Sequence, residues 1–148
     1  MKYLNIMFLS MFPIIELRGA IPVGLAYNLN PIGVFIASVI GSTIVSIPLI
    51  FTFRYILELL RKVKGFSKIV NFIDRKVDKG MKKLKKASML GLIIFVGIPL
   101  PTTGAWTGSA IASTLKMRLK HSVIGIFLGN IMAGCIMMVI SSPISMIL

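Results

Sequence analysis

Acidic residues are almost missing from this chain. Four Asp and Glu stand against 17 Lys and Arg in 148 residues, a formal net charge of +13. Charged residues of both signs make up only 14%, against about 25% in an ordinary soluble domain. Hydrophobic residues make up 56%, and mean hydropathy is +0.92. So little polar surface cannot cover a soluble globule of this size, which excludes an ordinary soluble enzyme. The basic residues are not spread over a soluble fold as in a nucleic-acid binder, so no nucleic-acid partner is expected. The single cysteine, Cys135, can form no intrachain disulfide and reads as a small buried hydrophobe in its apolar run. The single histidine, His121, has no second His, Cys or carboxylate at metal-ligand spacing, so it reads as a boundary residue and no metal is expected. No Walker motif, nucleotide-binding domain or catalytic triad is present, so no cofactor and no enzymatic chemistry are expected. A basic n-region and a small-residue cleavage site are also missing, so residues 1–12 are expected to be retained rather than removed.

What is there is a set of charge-free stretches: 3–15, 19–53, 87–115 and 122–148. A spanning helix needs about 20 apolar residues, and 31–53 and 122–148 supply them. The other two regions are interrupted. Residues 1–29 contain Glu16, Arg18, Gly19, Pro22 and Gly24, and 87–115 contain Gly97, Pro99, Pro101, Gly104 and Gly108. Two prolines one residue apart, followed by two glycines, do not continue a straight helix. Both regions are predicted to be broken, re-entrant helices, a backbone tolerated at membrane depth where it is buried in protein or lines a wet cavity.

Charge sets the orientation. Residues 54–86 hold 12 basic and 3 acidic side chains, which assigns them to the cytoplasm. Lys116, Arg118 and Lys120 stay on that side only if 87–115 enter and return as a hairpin. By the same logic 31–53 run inward, 1–29 form a hairpin from the outer face, and the C-terminus lies outside. Within the basic segment, Ile56, Leu59, Leu60, Val63, Phe66, Val70, Ile73, Val77, Met81 and Leu84 recur at steps of three and four. That predicts an amphipathic helix, which packs on the membrane domain and touches anionic lipid heads.

The chain also repeats itself. Ile32-Gly33-Val34-Phe35-Ile36-Ala37-Ser38 matches Ile124-Gly125-Ile126-Phe127-Leu128-Gly129-Asn130 in kind at every position. Gly19-Ala20 and Gly104-Ala105 form an upstream pair, each a few residues after a proline. Each half reads as a broken hairpin followed by a span, the two halves in opposite orientation. That is the inverted-repeat plan of many secondary transporters, whose substrate site lies where the breaks meet.

Glu16 and Arg18 are the only charges inside the N-terminal apolar region, and an ionisable group at membrane depth is a functional candidate. Glu16 reads as a proton carrier and Arg18 as a bidentate holder of an anionic group. The alternative is a structural ion pair capping the broken helix. Side chains two apart do not face each other on a helix, so a direct pair needs non-helical backbone. Pro22 and Gly24 permit a turn and close approach. Pro99, Pro101, Thr102 and Thr103 supply freed carbonyls and hydroxyls, and Trp106 is either a cavity wall or an interfacial anchor.

These two segments, Glu16-Leu17-Arg18-Gly19-Ala20-Ile21-Pro22-Val23-Gly24 and Pro99-Leu100-Pro101-Thr102-Thr103-Gly104-Ala105-Trp106-Thr107-Gly108, resemble the two signature motifs of the small multidrug export proteins, over almost the whole chain. That family resembles the DedA (SNARE-associated, VTT-domain) membrane proteins more distantly. Those have facing re-entrant hairpins, and some are linked to lipid or undecaprenyl-phosphate translocation. The resemblance implies motif roles for Glu16, Arg18, Pro22, Pro99 and Pro101. DedA proteins carry an arginine and acidic residues in the second motif, where Thr102 and Thr103 stand here.

The expectation is an all-α membrane protein of one domain, 1–148. It comprises repeat one (1–53), a cytoplasmic basic connector (54–86) and repeat two (87–148), each repeat a re-entrant hairpin plus one transmembrane helix. Four such elements enclose little cavity, so a homodimer in the cell membrane is expected, with lipids and a small-molecule or lipid substrate as its other partners. The leading function is proton-coupled export of a small molecule. The alternatives are a DedA-like lipid or polyprenyl-phosphate translocase and a non-transport structural or assembly component.

Overall fold

Asn30 and Pro31 start the first long helix. The Asn30 side chain accepts a hydrogen bond from the Ile32 amide at 3.0 Å, and proline occupies the first helical position, where its missing N–H costs nothing. The computed structural model describes residues 1–100 and 103–147, with residues 64, 66, 73, 74, 77–87 and 143–147 described by backbone alone. Every regular element among these residues is a helix, in the order α1 (Lys2–Met11), α2 (Glu16–Ala26), α3 (Pro31–Lys62), α4 (Lys64–Gly97), α5 (Ala105–Thr114) and α6 (Leu119–Ile147).

Two helices are long and apolar enough to cross a membrane: Pro31–Lys62 and Leu119–Ser142. Two interruptions are present among the described residues. The first lies at residues 12–15, ahead of the expected stretch from Glu16 to Gly24, which is helical; the second follows α4 at Ile98 and closes at Gly104, just before α5. The basic segment is not a separate element. α3 continues past Phe53 to Lys62, where Arg61 and Lys62 complement the negative end of the helix dipole. α4 carries the rest of the basic segment straight into the apolar stretch Ser88–Gly97. The single amphipathic helix expected over 56–84 is divided at Val63, whose backbone is extended. A β-branched residue followed by Lys64-Gly65 is a weak place in a helix, and the chain reverses there so that α4 packs on α3 and α6. Phe66, Ile73, Val77, Met81 and Leu84 belong to the side chains outside the described residues.

α3 is packed inside out. Ile32, Ile36, Ile40, Ile44, Ile47 and Phe51 recur every three or four residues along its exposed face. The buried face carries Val34, Ser38, Gly41, Ser42, Ser46 and Ile50. Large apolar residues outward and small ones inward are what a helix facing hydrocarbon requires, since close backbone approach rather than the hydrophobic effect holds such helices together. Two buried hydroxyls bond to backbone of a neighbouring helix, Ser42 to the Ser10 carbonyl at 3.0 Å and Ser113 of α5 to the Ile50 carbonyl at 3.1 Å, while Ser38 Oγ has no partner among the described residues. Asn130 of α6 donates to Thr43 Oγ1 at 3.1 Å. Cys135 is exposed on α6 rather than buried. In a helix with an apolar outer face, an apolar run does not mark the inside, and that is why the expectation failed.

Gly41 shows how close the helices come. A Cβ there would lie 2.3 Å from the Met7 carbonyl oxygen of α1, which is backbone and cannot swing aside. At Gly91 of α4 a Cβ would meet nothing within 4 Å. Gly41→Ala is therefore expected to destabilise the protein by about 1–3 kcal/mol through overpacking. Gly91→Ala should be neutral or stabilising by up to about 1 kcal/mol through helix propensity. Thermal unfolding of both variants in detergent checks the opposite signs.

Candidate functional site

α1 ends ahead of Pro13, and α2 begins at Glu16 with a backbone φ of 45°. Left-handed backbone is uncommon in a residue with a side chain. Here it has a consequence. It takes Glu16 out of the helical register in which side chains two apart diverge, and its Oε2 accepts from Arg18 Nη1 at 2.8 Å. The pair is well covered, with Glu16 only 8% exposed.

Both partners then reach across to the second break. Glu16 Oε1 accepts from the backbone N–H of Trp106 at 3.3 Å, in the first turn of α5. A carboxylate there satisfies one of the orphan amides and faces the positive end of the helix dipole. Arg18 Nη2 lies 3.1 Å from each of three acceptors: the Val96 carbonyl, the Ile98 carbonyl and Thr103 Oγ1. Val96 is in the last turn of α4, so the cation sits on carbonyls that the helix end leaves unpaired. Thr103 Oγ1 in turn donates to the Ile98 carbonyl at 2.5 Å and accepts from the Leu100 amide at 3.3 Å. Thus the anion caps the helix after the break, and the cation caps the helix before it. The Nε of Arg18 is buried without a hydrogen-bond partner among the described residues.

The remaining candidates divide. Trp106, expected as a cavity wall or an interfacial anchor, makes a specific contact between helices. Its indole Nε1 donates to the Met11 carbonyl at 3.1 Å, which ties α5 to the end of α1. Thr103 is buried and belongs to the site. Pro99 lies in the break itself, and Pro101 and Thr102 lie outside the described residues. Pro22 and Gly24 fall inside α2 rather than at a turn. Gly24 does serve close approach, since a Cβ there would lie 2.6 Å from the Val34 side chain of α3. The carbonyls of Met11, Val96 and Ile98 were not anticipated, because a backbone acceptor leaves no mark on residue type. Gly104 was read as a helix interruption and a repeat anchor, not as a residue of the site. A Cβ on it would lie 1.8 Å from Glu16 Oε2, so only glycine leaves room for the carboxylate.

Residues 16–136 match the family model described as "Putative small multi-drug export protein". The chain belongs to that family. Neither the curated proteins nor the solved structures compared with it contain a match. The matched region opens on Glu16 and takes in both breaks' charged and capping residues, while α1 lies before it. The family description indicates export, and no catalytic family is indicated. With two long apolar helices, it points to a membrane location.

In this export-family chain, Gly104 and Glu16 are expected to be energetically coupled. Gly104→Ala should cost about 1–3 kcal/mol in the wild type, because the added methyl displaces the carboxylate. In a Glu16→Ala background most of that cost should vanish. Thermal unfolding of the two single variants and the double variant in detergent measures the coupling, and purely additive losses would remove the steric account of Gly104.

Proposed function

We propose that the chain is a small membrane exporter coupled to protons through Glu16. The observation that carries this reading is the Glu16–Arg18 pair spanning both breaks. An ionisable residue kept at such depth is costly and needs a use. As a carboxylate, Glu16 holds Arg18 and the start of α5 together. When Glu16 takes a proton, the charge on both interactions is lost, and the α2 end is released from α5. Arg18 then remains on the α4 carbonyls with its Nε and one Nη open to an anionic or hydrogen-bonding substrate group. Loss of the proton restores the pair and expels the substrate group.

The architecture proposed for this cycle is two inverted repeats, 1–53 and 87–148, joined by the basic segment 54–86 in the cytoplasm. Each repeat would have a re-entrant hairpin and one span. Several observations support it. Gly33 and Gly125, matched in sequence, both abut the first helix of their own half, at Tyr3 of α1 and Leu92 of α4. The turns after α2 and α5 are built alike. Asn28 and Lys116 have φ of 53° and 50°, and each precedes a residue whose amide bonds five residues back, Leu29 to Gly24 and Met117 to Ala112. α2 packs on α6 as α5 packs on α3, which pairs each hairpin with the other half's span. Rocking one half against the other would open the break region to alternate sides. One chain encloses little space, so two copies are proposed to work together.

The test is a pH-gradient-driven flux of an amphipathic dye carrying an anionic group in proteoliposomes. Wild type should move the dye, and Glu16→Gln, which keeps size and loses the titratable proton, should fall to the level of empty liposomes. Unchanged flux in Glu16→Gln would sink the proton-carrier role, and no flux of any dye in wild type would remove the support for export of this substrate class.

A further inference from the structure

Beyond its apolar stretch, α3 passes the turn that joins α5 to α6, and a cavity of about 380 Å³ lies between them. Its charged lining is Arg54, Glu58, Arg61, Lys116 and Arg118. Four cations thus face one carboxylate in a volume within the range of about 300–1,000 Å³ typical of small-ligand sites. The Arg54 guanidinium donates to the Met117 carbonyl, which fixes the turn against α3 and gives the cavity a defined wall.

Charges that only orient a protein in a bilayer need no common cavity. These converge on one, and like charges held together raise the energy of the site until an anion enters. The turn makes the same point independently. Its Lys116 has φ 50°, a left-handed backbone that asparagine adopts far more readily than lysine. The turn after α2 has the same hydrogen bonds and places Asn28 there, at φ 53°. Local conformation favours asparagine at both turns, yet the second one carries a cation that opens on the cavity.

We propose that this pocket binds a phosphate group, held by the guanidinium forks of Arg54 and Arg118 and the point charge of Lys116. The phosphate is that of an anionic lipid headgroup or of a free phosphate. The site shares no residue with the Glu16–Arg18 pair and stands whether or not that pair carries protons.

The probes are inorganic phosphate, a soluble short-chain phosphatidic acid and the matching short-chain phosphatidylcholine. Each is titrated calorimetrically into the full chain in neutral detergent. Wild type should bind at least one phosphate probe, and the double variant Lys116→Asn/Arg118→Gln should weaken that binding by about tenfold or more. Lys116→Asn alone should leave the thermal midpoint unchanged or raised, because asparagine suits the turn; a loss of binding is then not a loss of fold. Binding of both phosphate probes identifies the group itself as the ligand, and binding of phosphatidic acid alone identifies a headgroup. Equal binding by wild type and the double variant, no binding of either phosphate probe, or phosphatidylcholine binding as tightly as phosphatidic acid would each overturn the proposal.

Discussion

Two interrupted helices in an apolar body leave backbone groups that nothing around them can satisfy, and each such group costs several kcal/mol in a hydrocarbon setting. One ion pair meets much of that demand. Glu16 takes an amide at the start of α5, and Arg18 takes the carbonyls at the end of α4. Without the anion an α5 amide is unpaired, and without the cation the Val96 carbonyl loses its donor while Ile98 keeps only those from Thr103 and Leu100. The pair is therefore not an ornament on a preformed hairpin. Its first half supplies the charges, and its second half supplies the dipoles that make those charges tolerable.

That dependence explains several residues that look unrelated in the chain. Gly104 is small because the Glu16 carboxylate occupies the space a Cβ would need. Thr103 is a hydroxyl because it must accept from Arg18 while donating to Ile98. Trp106 provides two donors, its amide to Glu16 and its indole to Met11, and so joins α5 to both sides of the first break. Ser42 of α3 and Ser113 of α5 let the surrounding helices pack closely by bonding their hydroxyls to backbone. An interior made of small residues and backbone bonds is rigid where it packs, and the charged pair is the part of it whose strength a proton can change.

Much of this could be read from residue order. The two long apolar helices and the second break followed from proline, glycine and charge placement, while the first break was expected a few residues too late, within what is α2. What could not be read depended on backbone torsion and on backbone acceptors. A left-handed φ at Glu16 converts an i,i+2 spacing that a helix forbids into an ion pair, and glutamate carries no propensity signal for it. The carbonyls that receive Arg18 have no residue signature at all. The break at Val63 was hidden by an unbroken three-and-four periodicity, which registers apolar faces and not the reversal of the chain. Cys135 was misjudged for a related reason. In a body that is apolar on both sides, hydrophobicity does not separate inside from outside, and only the position of small residues does.

The charge imbalance takes a sharper meaning from this arrangement. Acidic residues are scarce, but the one in the apolar body is engaged on both oxygens, by Arg18 and by Trp106. The cations at the opposite extreme gather where α3 meets the α5–α6 turn, with a single carboxylate among them. The first arrangement is closed, with only Arg18 Nε left without a partner among the described residues. The second is open and positively biased, so that it changes when something anionic arrives. The two sites are tied through α5, which begins at the Trp106 amide on Glu16 and ends in the turn whose Met117 carbonyl holds Arg54. A ten-residue helix is about 15 Å long, so α5 spans the distance between the ion pair and the basic cavity.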